Sequence, residues 1–259
     1  KQLQTSNALF DITIGVYSAS STVSSALQDT DAAGKMIFPS SSLMMREKVN
    51  LYRQFAQTLL GNADNFFTSP FSTTNTPNDF AGSTTSIPNA LFLTHKRLFV
   101  RDGIKRETFA MRFFQSSSFG NPTFEPEGTW SNLATTPANP ASGSFIYTDV
   151  GSATSIENSP TGGSVGNIVD ASNTARTLGL MFYQEGITVL DLDAIVSGSQ
   201  LMSGVISAMN ATPYADASAG QVVMSQKFIP GFLTSGSVDN ILEHICTTRF
   251  GSGSNTVMT

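Results

Sequence analysis

The chain has 259 residues, of which 40% are apolar and only 13% charged, with a formal net charge of −5. An average soluble domain is about one quarter charged, so Ser, Thr, Asn and Gly take up the difference and favour strands, turns and loops over helix. The acidic balance speaks against whole-molecule attraction to nucleic acid or to an anionic membrane. A single cysteine, Cys246, excludes an internal disulfide, and no apolar run approaches the roughly 18 residues of a membrane span.

From Leu9 to Tyr17 apolar and polar residues alternate, with Phe10, Ile12, Ile14 and Val16 on one face, which predicts a half-buried strand. A turn-like stretch follows, and Met36-Ile-Phe38 predicts a short strand before Pro39. Over Ser40 to Gly61 the residues Met45, Val49, Tyr52, Phe55, Ala56 and Leu59 recur at 3.6-residue spacing. Ser41 or Ser42 is placed to cap this helix and Gly61 to end it, and Arg46, Lys48 and Arg53 are expected on its solvated face. Asn62 to Asn89 is long, polar and punctuated by Pro70, Pro77 and Pro88, yet its Phe66, Phe67, Phe71 and Phe80 argue for an ordered excursion packed on a neighbour.

Ala90 to Gln115 predicts a long β-hairpin around Arg101-Asp-Gly103, with Phe109, Met111 and Phe113 on one face. Two Pro-, Gly- and Ser-rich loops, Ser116 to Ser144 and Gly151 to Gly166, flank a short strand at Phe145-Ile-Tyr147. Leu178 to Tyr183 and Ile187 to Leu190 predict a tight hairpin with Gly186 at the last turn position, and Leu201, Met202, Val205, Ile206 and Met209 predict a helix capped by Ser199. Strands at Gln221 to Met224 and Lys227 to Ile229 precede a helix at Val238 to Thr248 with Ile241, Leu242 and Ile245 inward. The expected fold is a single α+β domain over 1–259, mainly antiparallel β with a few amphipathic helices and long Ser/Thr/Pro-rich surface loops. The start at Lys1 and the strand-like end Asn255 to Thr259 suggest trimming at both ends.

Motifs that carry chemistry are scarce. His244 lies two residues from Cys246, so on a helix the two face different ways, and His95 sits beside Lys96 and Arg97 with no ligand cluster. Asp191-Leu-Asp193 resembles a metal-binding pair but falls where acidic residues commonly cap helices. Gly162-Gly-Ser-Val-Gly166 lacks the spacing of a phosphate or dinucleotide loop and reads as a flexible loop, and there is no nucleophile elbow. No catalytic, metal or cofactor residue is therefore expected.

Nine of the fourteen Lys and Arg residues lie between Arg46 and Arg112. Lys96, Arg97, Arg101, Lys105, Arg106 and Arg112 are consequently the interface candidates, facing either an acidic protein surface or phosphates. The bland alternative is an exposed sheet face partly balanced by Asp102 and Glu107. If the segment is an interface, Arg101→Glu or Arg106→Glu impairs assembly and leaves the fold intact.

Three stretches, Met44-Met-Arg-Glu-Lys-Val-Asn-Leu-Tyr-Arg-Gln-Phe-Ala-Gln57, Lys96 to Gln115 and Arg176-Thr-Leu-Gly-Leu-Met-Phe-Tyr-Gln-Glu-Gly-Ile-Thr-Val-Leu190, resemble a family of virion structural proteins of large contractile-tailed bacteriophages of the marine, cyanophage type. The resemblance implies a non-enzymatic virion building block of the tail, baseplate or neck, located in the virion. Its implied partners are copies of itself and other virion proteins, with no membrane, nucleic-acid or small-molecule substrate role. Low charge and abundant Phe and Met agree with this, because interface cores are depleted in charge and enriched in aromatics and Met. Two rivals come from other classes. One is a receptor- or glycan-binding virion module using Trp130 and Phe124; the other is a tail-associated hydrolase using two of Asp149, Glu157, Asp191 and Asp193.

Overall fold

A computed structural model describes residues 9–20, 22–23, 40–96, 103–114, 144–155, 157–195, 214–216, 221–223, 233 and 236–247. The chain is α+β and mainly antiparallel β, and it divides into two compact units. The first comprises the described residues within Lys1–Ser20, Arg46–Phe109 and Thr148–Asp191, and the second those within Ser21–Met45, Ala110–Tyr147 and Leu192–Thr259.

In chain order the strands are β1 (Phe10–Val16), β2 (Phe67–Thr68), β3 (Ser86–Ile87), β4 (Asn89–His95), β5 (Ala110–Phe114), β6 (Ser144–Thr148), β7 (Glu157–Asn158), β8 (Ser164–Asp170), β9 (Asn173–Phe182), β10 (Ile187–Asp191), β11 (Tyr214–Asp216) and β12 (Gln221–Val223). The helices are α1 (Ser40–Leu60), α2 (Leu192–Ile195) and α3 (Val238–Thr247). The expected strand at Met36–Phe38, the helix from Ser199 to Met209 and the strand at Lys227–Ile229 lie outside the described residues.

The first unit is built on an antiparallel sheet in the order β1-β4-β10-β9-β8, with β7 paired to β8. Its register sets Phe92, Val189, Leu180 and Asn167 in one row and Ile187, Phe182 and Val165 in the next. Side chains in these rows share a face, because strand residues alternate. Against that face lies α1, whose Tyr52, Ala56 and Leu59 are fully buried in the same apolar cluster. Burying a side chain of the size of Leu59 stabilises the fold by about 1.5–3 kcal/mol. Phe55 of the helix stacks on Phe92 with ring centroids 4.0 Å apart.

The helix can come this close because β1 carries glycine at position 15. A Cβ there would stand 2.9 Å from the Cα and Cβ of Tyr52 and from the ring of Phe92. The helix begins at Ser40, so Ser41 and Ser42 lie in its first turn rather than capping it, and Gly61 ends it with φ +76°.

The excursion from Asn62 to Asn89 is ordered and packs on this same core. Phe66, Phe67 and Phe71 are buried, and Phe80 lies against the ring of Tyr17 at 4.6 Å. The Tyr52 hydroxyl donates to the Ile87 carbonyl (2.8 Å) and accepts from the Phe67 amide (3.0 Å), so one helix side chain fixes both β2 and β3. Asn167 in β8 accepts from the Phe71 amide (2.9 Å), and the Asn75 amide bridges Phe66, Thr68 and Ser72.

Three further expectations need correction. The segment 90–115 is not a hairpin: β4 pairs with β1 and β10, and β5 pairs with β6. Asn89 to Leu93 is buried on both faces, which marks an interior strand with partners on each side rather than one arm of a ribbon. The Gly162–Gly166 stretch is only in part a loop, since Ser164, Val165 and Gly166 open β8.

Lys48, expected in solvent with Arg46 and Arg53, is fully buried, whereas the other two are exposed. Positions 45, 48, 52, 56 and 59 follow helical steps of three and four, so Lys48 falls within the buried stripe. Burial lowers the Lys48 pKa from 10.5 to about 8, with the neighbouring Glu47 acting in the opposite direction. Between those values an unfolded chain holds a proton on Lys48 that the folded chain lacks, so stability rises with pH across this window. The gain is about 3 kcal/mol, by conversion of the shift. Tyr52 and Tyr183, whose phenols burial raises, oppose it above pH 10. Urea unfolding between pH 7.5 and 9.5 is expected to show the rise, and Lys48→Met is expected to flatten it.

Other expectations hold. The β9–β10 hairpin closes through Tyr183-Gln-Glu-Gly186, with Gly186 at φ +67° and its amide on the Phe182 carbonyl at 3.0 Å. In the second unit β6 and β12 fall where strands were expected, β12 paired with β11. The α3 helix has Ile241 buried and Leu242 and Ile245 half-buried. Ser237 caps it, accepting from the Asn240 amide at 3.1 Å.

Candidate functional site

Four of the six basic candidates, Lys96, Lys105, Arg106 and Arg112, fall among the described residues. Lys96 follows β4 and is ion-paired with Asp11 of β1. Arg97 and Arg101 lie outside the described residues. Lys105 is exposed, Arg106 is half-buried, and Arg112 is exposed on β5. Lys105 and Arg106 therefore sit on the segment Gly103–Phe109, whose geometry decides what they can do.

That segment is clamped onto the first unit by a fully buried carboxylate. Asp149, the residue after β6, accepts hydrogen bonds from the Glu107 amide (2.8 Å), the Phe109 amide (3.0 Å) and the Tyr183 hydroxyl (2.9 Å). Further bonds tie the segment to its neighbours. The Arg106 guanidinium donates to the Ser152 carbonyl at 2.8 Å and lies 5.3 Å over the Tyr183 ring, and the Gly151 amide donates to the Glu107 carboxylate at 3.1 Å. The Ile104 amide donates to the Tyr183 carbonyl at 2.8 Å.

Tyr183 reaches Asp149 because Gly166 of β8 has no side chain, since a Cβ there would collide with the phenol oxygen and with Ser152. Burial raises the Tyr183 pKa, so the phenol stays a proton donor across the neutral range. Glu107 adopts φ +60°, a left-handed conformation costing about 1 kcal/mol or more for a side-chain-bearing residue. Such strain persists only where its surroundings over-determine it, as the two carboxylate bonds do here.

Of the other sequence candidates, His95 is engaged within the first unit. The His95 ring nitrogen Nε2 is 3.0 Å from the Thr188 hydroxyl, which itself donates to the Met181 sulfur at 3.4 Å, so the imidazole is the donor in this chain. Burial lowers the His95 pKa and keeps the ring neutral. Asp191 ends β10 and Asp193 lies in the first turn of α2. Among the described residues no group of three or more His, Cys, Asp or Glu side chains is placed to hold a metal ion, and no helix is long and apolar enough to cross a membrane. Glu157 is exposed on β7, and both oxygens of Asp149 are taken by chain donors. The side chains of His244 and Cys246, like Trp130 and Phe124, lie outside the described residues.

The Asp149 clamp was not foreseen in the sequence. Its one local signal is Asp149-Val-Gly151, a turn pattern directly after the Phe145–Tyr147 strand, but its partners are distant in the chain.

Comparison of the chain with protein-family models, with curated proteins and with solved structures gives no match in any of the three.

Proposed function

We propose that the chain is a non-enzymatic structural subunit of a bacteriophage virion, of its tail, baseplate or neck, assembling with copies of itself and with other virion proteins. The family resemblance of the three stretches named above supports this reading. The structural observation that carries it is how the polar side chains are used. Asp149, Tyr183, His95 and Asn167 are spent on holding chain segments in place, while Lys105 and Arg112 point to solvent with no ion-pair partner among the described residues. The excursion adds a mostly uncharged outer surface at Pro70, Thr73, Thr74, Thr76, Pro77 and Thr84, supported from beneath by buried Phe66, Phe67 and Phe71. A long Ser/Thr/Pro-rich loop held rigid in this way is suited to meeting a neighbouring subunit.

Lys105→Glu combined with Arg112→Glu is expected to weaken self-association roughly tenfold and to leave unfolding unchanged. Light scattering at low and high salt, beside a urea melt, measures both. Arg106→Glu is a different experiment from the one the sequence suggests. It removes the bond to the Ser152 carbonyl and the cation over the Tyr183 ring, so about 2 kcal/mol of stability should be lost with it. Association unchanged by the Lys105/Arg112 double substitution would remove the basic segment from the assembly reading.

A further inference from the structure

His95 lies where the clamped segment meets the sheet. Its register partner on β1 is Phe10 and its diagonal neighbour on β10 is Thr188, so the three share one face. The imidazole meets the Phe10 ring edge-to-face at 5.9 Å and the Phe109 ring at 6.2 Å. Phe109 ends the clamped segment, held by its amide on Asp149 at 3.0 Å and by its carbonyl, which accepts from the Thr148 hydroxyl at 2.9 Å. One aromatic ring thus joins the segment to the histidine, and the burial of His95 draws on that ring staying in place.

These surroundings suit a neutral imidazole. Its Nε2 donates to the Thr188 hydroxyl, which is fully buried and turned toward the Met181 sulfur, and its Nδ1 has no hydrogen-bond partner among the described residues. A proton would arrive at Nδ1 and create a second donor with nothing from the described chain to accept it. None of the neighbouring carboxylates is paired with the ring. On β1, Asp11 projects to the face opposite Phe10 and is taken by Lys96. On the segment, Lys105 and Arg106 are cations and Glu107 accepts from the Gly151 amide, while Asp149 behind it holds two amides and the Tyr183 phenol. In the turn before β10, Glu185 is directed at Gly163. Burial without a counter-charge lowers the His95 pKa.

We propose that His95 is an acid-sensitive latch: a proton on its imidazole releases Phe109 and, with it, the segment 103–109 from the sheet. The latch does not depend on the assembly reading. When the segment lifts, the ring reaches water and takes up a proton as an ordinary histidine does, so the proton favours the open form. The closed form keeps its full advantage above about pH 6.5. Below that value the advantage shrinks by at most about tenfold per pH unit, until the covered ring titrates as well.

Amide exchange at Ile104, Glu107 and Phe109, measured from about pH 7.5 to 5 and divided by the rate of an unstructured chain at each pH, tests the latch in the whole chain. In the closed form these amides are bonded to the Tyr183 carbonyl and to Asp149. Protection is expected to be constant above about pH 6.5 and to fall roughly tenfold by about pH 5. His95→Gln keeps an amide donor for Thr188 and cannot take up the proton, so its protection is expected to stay level over the same range. Protection that stays level in the wild type, or that falls equally in His95→Gln through another group such as Asp149, overturns the inference. Should His95→Gln not fold, NMR of the wild type decides. The His95 ring and the Phe109 amide are expected to titrate together, with a midpoint below the ordinary histidine value of 6.5. A ring that titrates while the Phe109 amide stays unchanged overturns the latch.

Discussion

Gly15→Val is expected to prevent the first unit from folding, and Gly15→Ala to lose about 3 kcal/mol or more. At this position β1 runs beneath α1, and a Cβ would meet the Cα of Tyr52 at 2.9 Å. Backbone cannot swing aside as the end of a long side chain can, so the whole helix must lift. Overpacking a well-filled core typically costs 1–3 kcal/mol, and here the displaced element also carries Tyr52, whose hydroxyl secures β2 and β3 through Phe67 and Ile87. Lifting α1 therefore loosens the excursion as well as the helix. Urea melts followed by circular dichroism measure the effect. A Gly15→Ala protein as stable as the wild type would mean that the helix does not pack where it is described.

Asp149→Ala is expected to cost about 4 kcal/mol, more than most single substitutions. The carboxylate is fully buried and accepts from two amides and a phenol, all of which would be left without an acceptor away from water. Each orphaned buried donor costs about 1–3 kcal/mol, and part of this is recovered if the 103–109 segment detaches and its amides reach solvent. Asp149→Asn retains an acceptor and is expected to lose about half as much. Equal stability of Asp149→Ala and wild type in chemical denaturation would contradict the clamp.

How far the fold was legible depended on how local each signal was. The β9–β10 hairpin was readable because Gly186 supplies the left-handed turn residue between two apolar runs, and α1 because its apolar stripe repeats along the helix. The supposed hairpin over 90–115 failed because an Asp-Gly pair is a local cue, whereas Asn89–Leu93 is buried on both faces and takes its partners from the distant segments 10–16 and 187–191. The strand β8 was hidden by Gly166 and Asn167, and both prove to be demanded by distant groups, Gly166 by the Tyr183 phenol and Asn167 by the Phe71 amide. The Asp149 clamp joins residues about 40 positions apart, so no spacing rule could have revealed it. Lys48 was misjudged for a different reason: residue type outweighed helical phase, although its position fell within the stripe.

The central claim is assembly through charge, and the mass of the wild-type chain in solution tests it most directly. Light scattering over a range of protein and salt concentrations is predicted to show association that grows with protein concentration and is lost as salt rises, because exposed charge pairs are screened. A monodisperse monomer at every salt and protein concentration would contradict it.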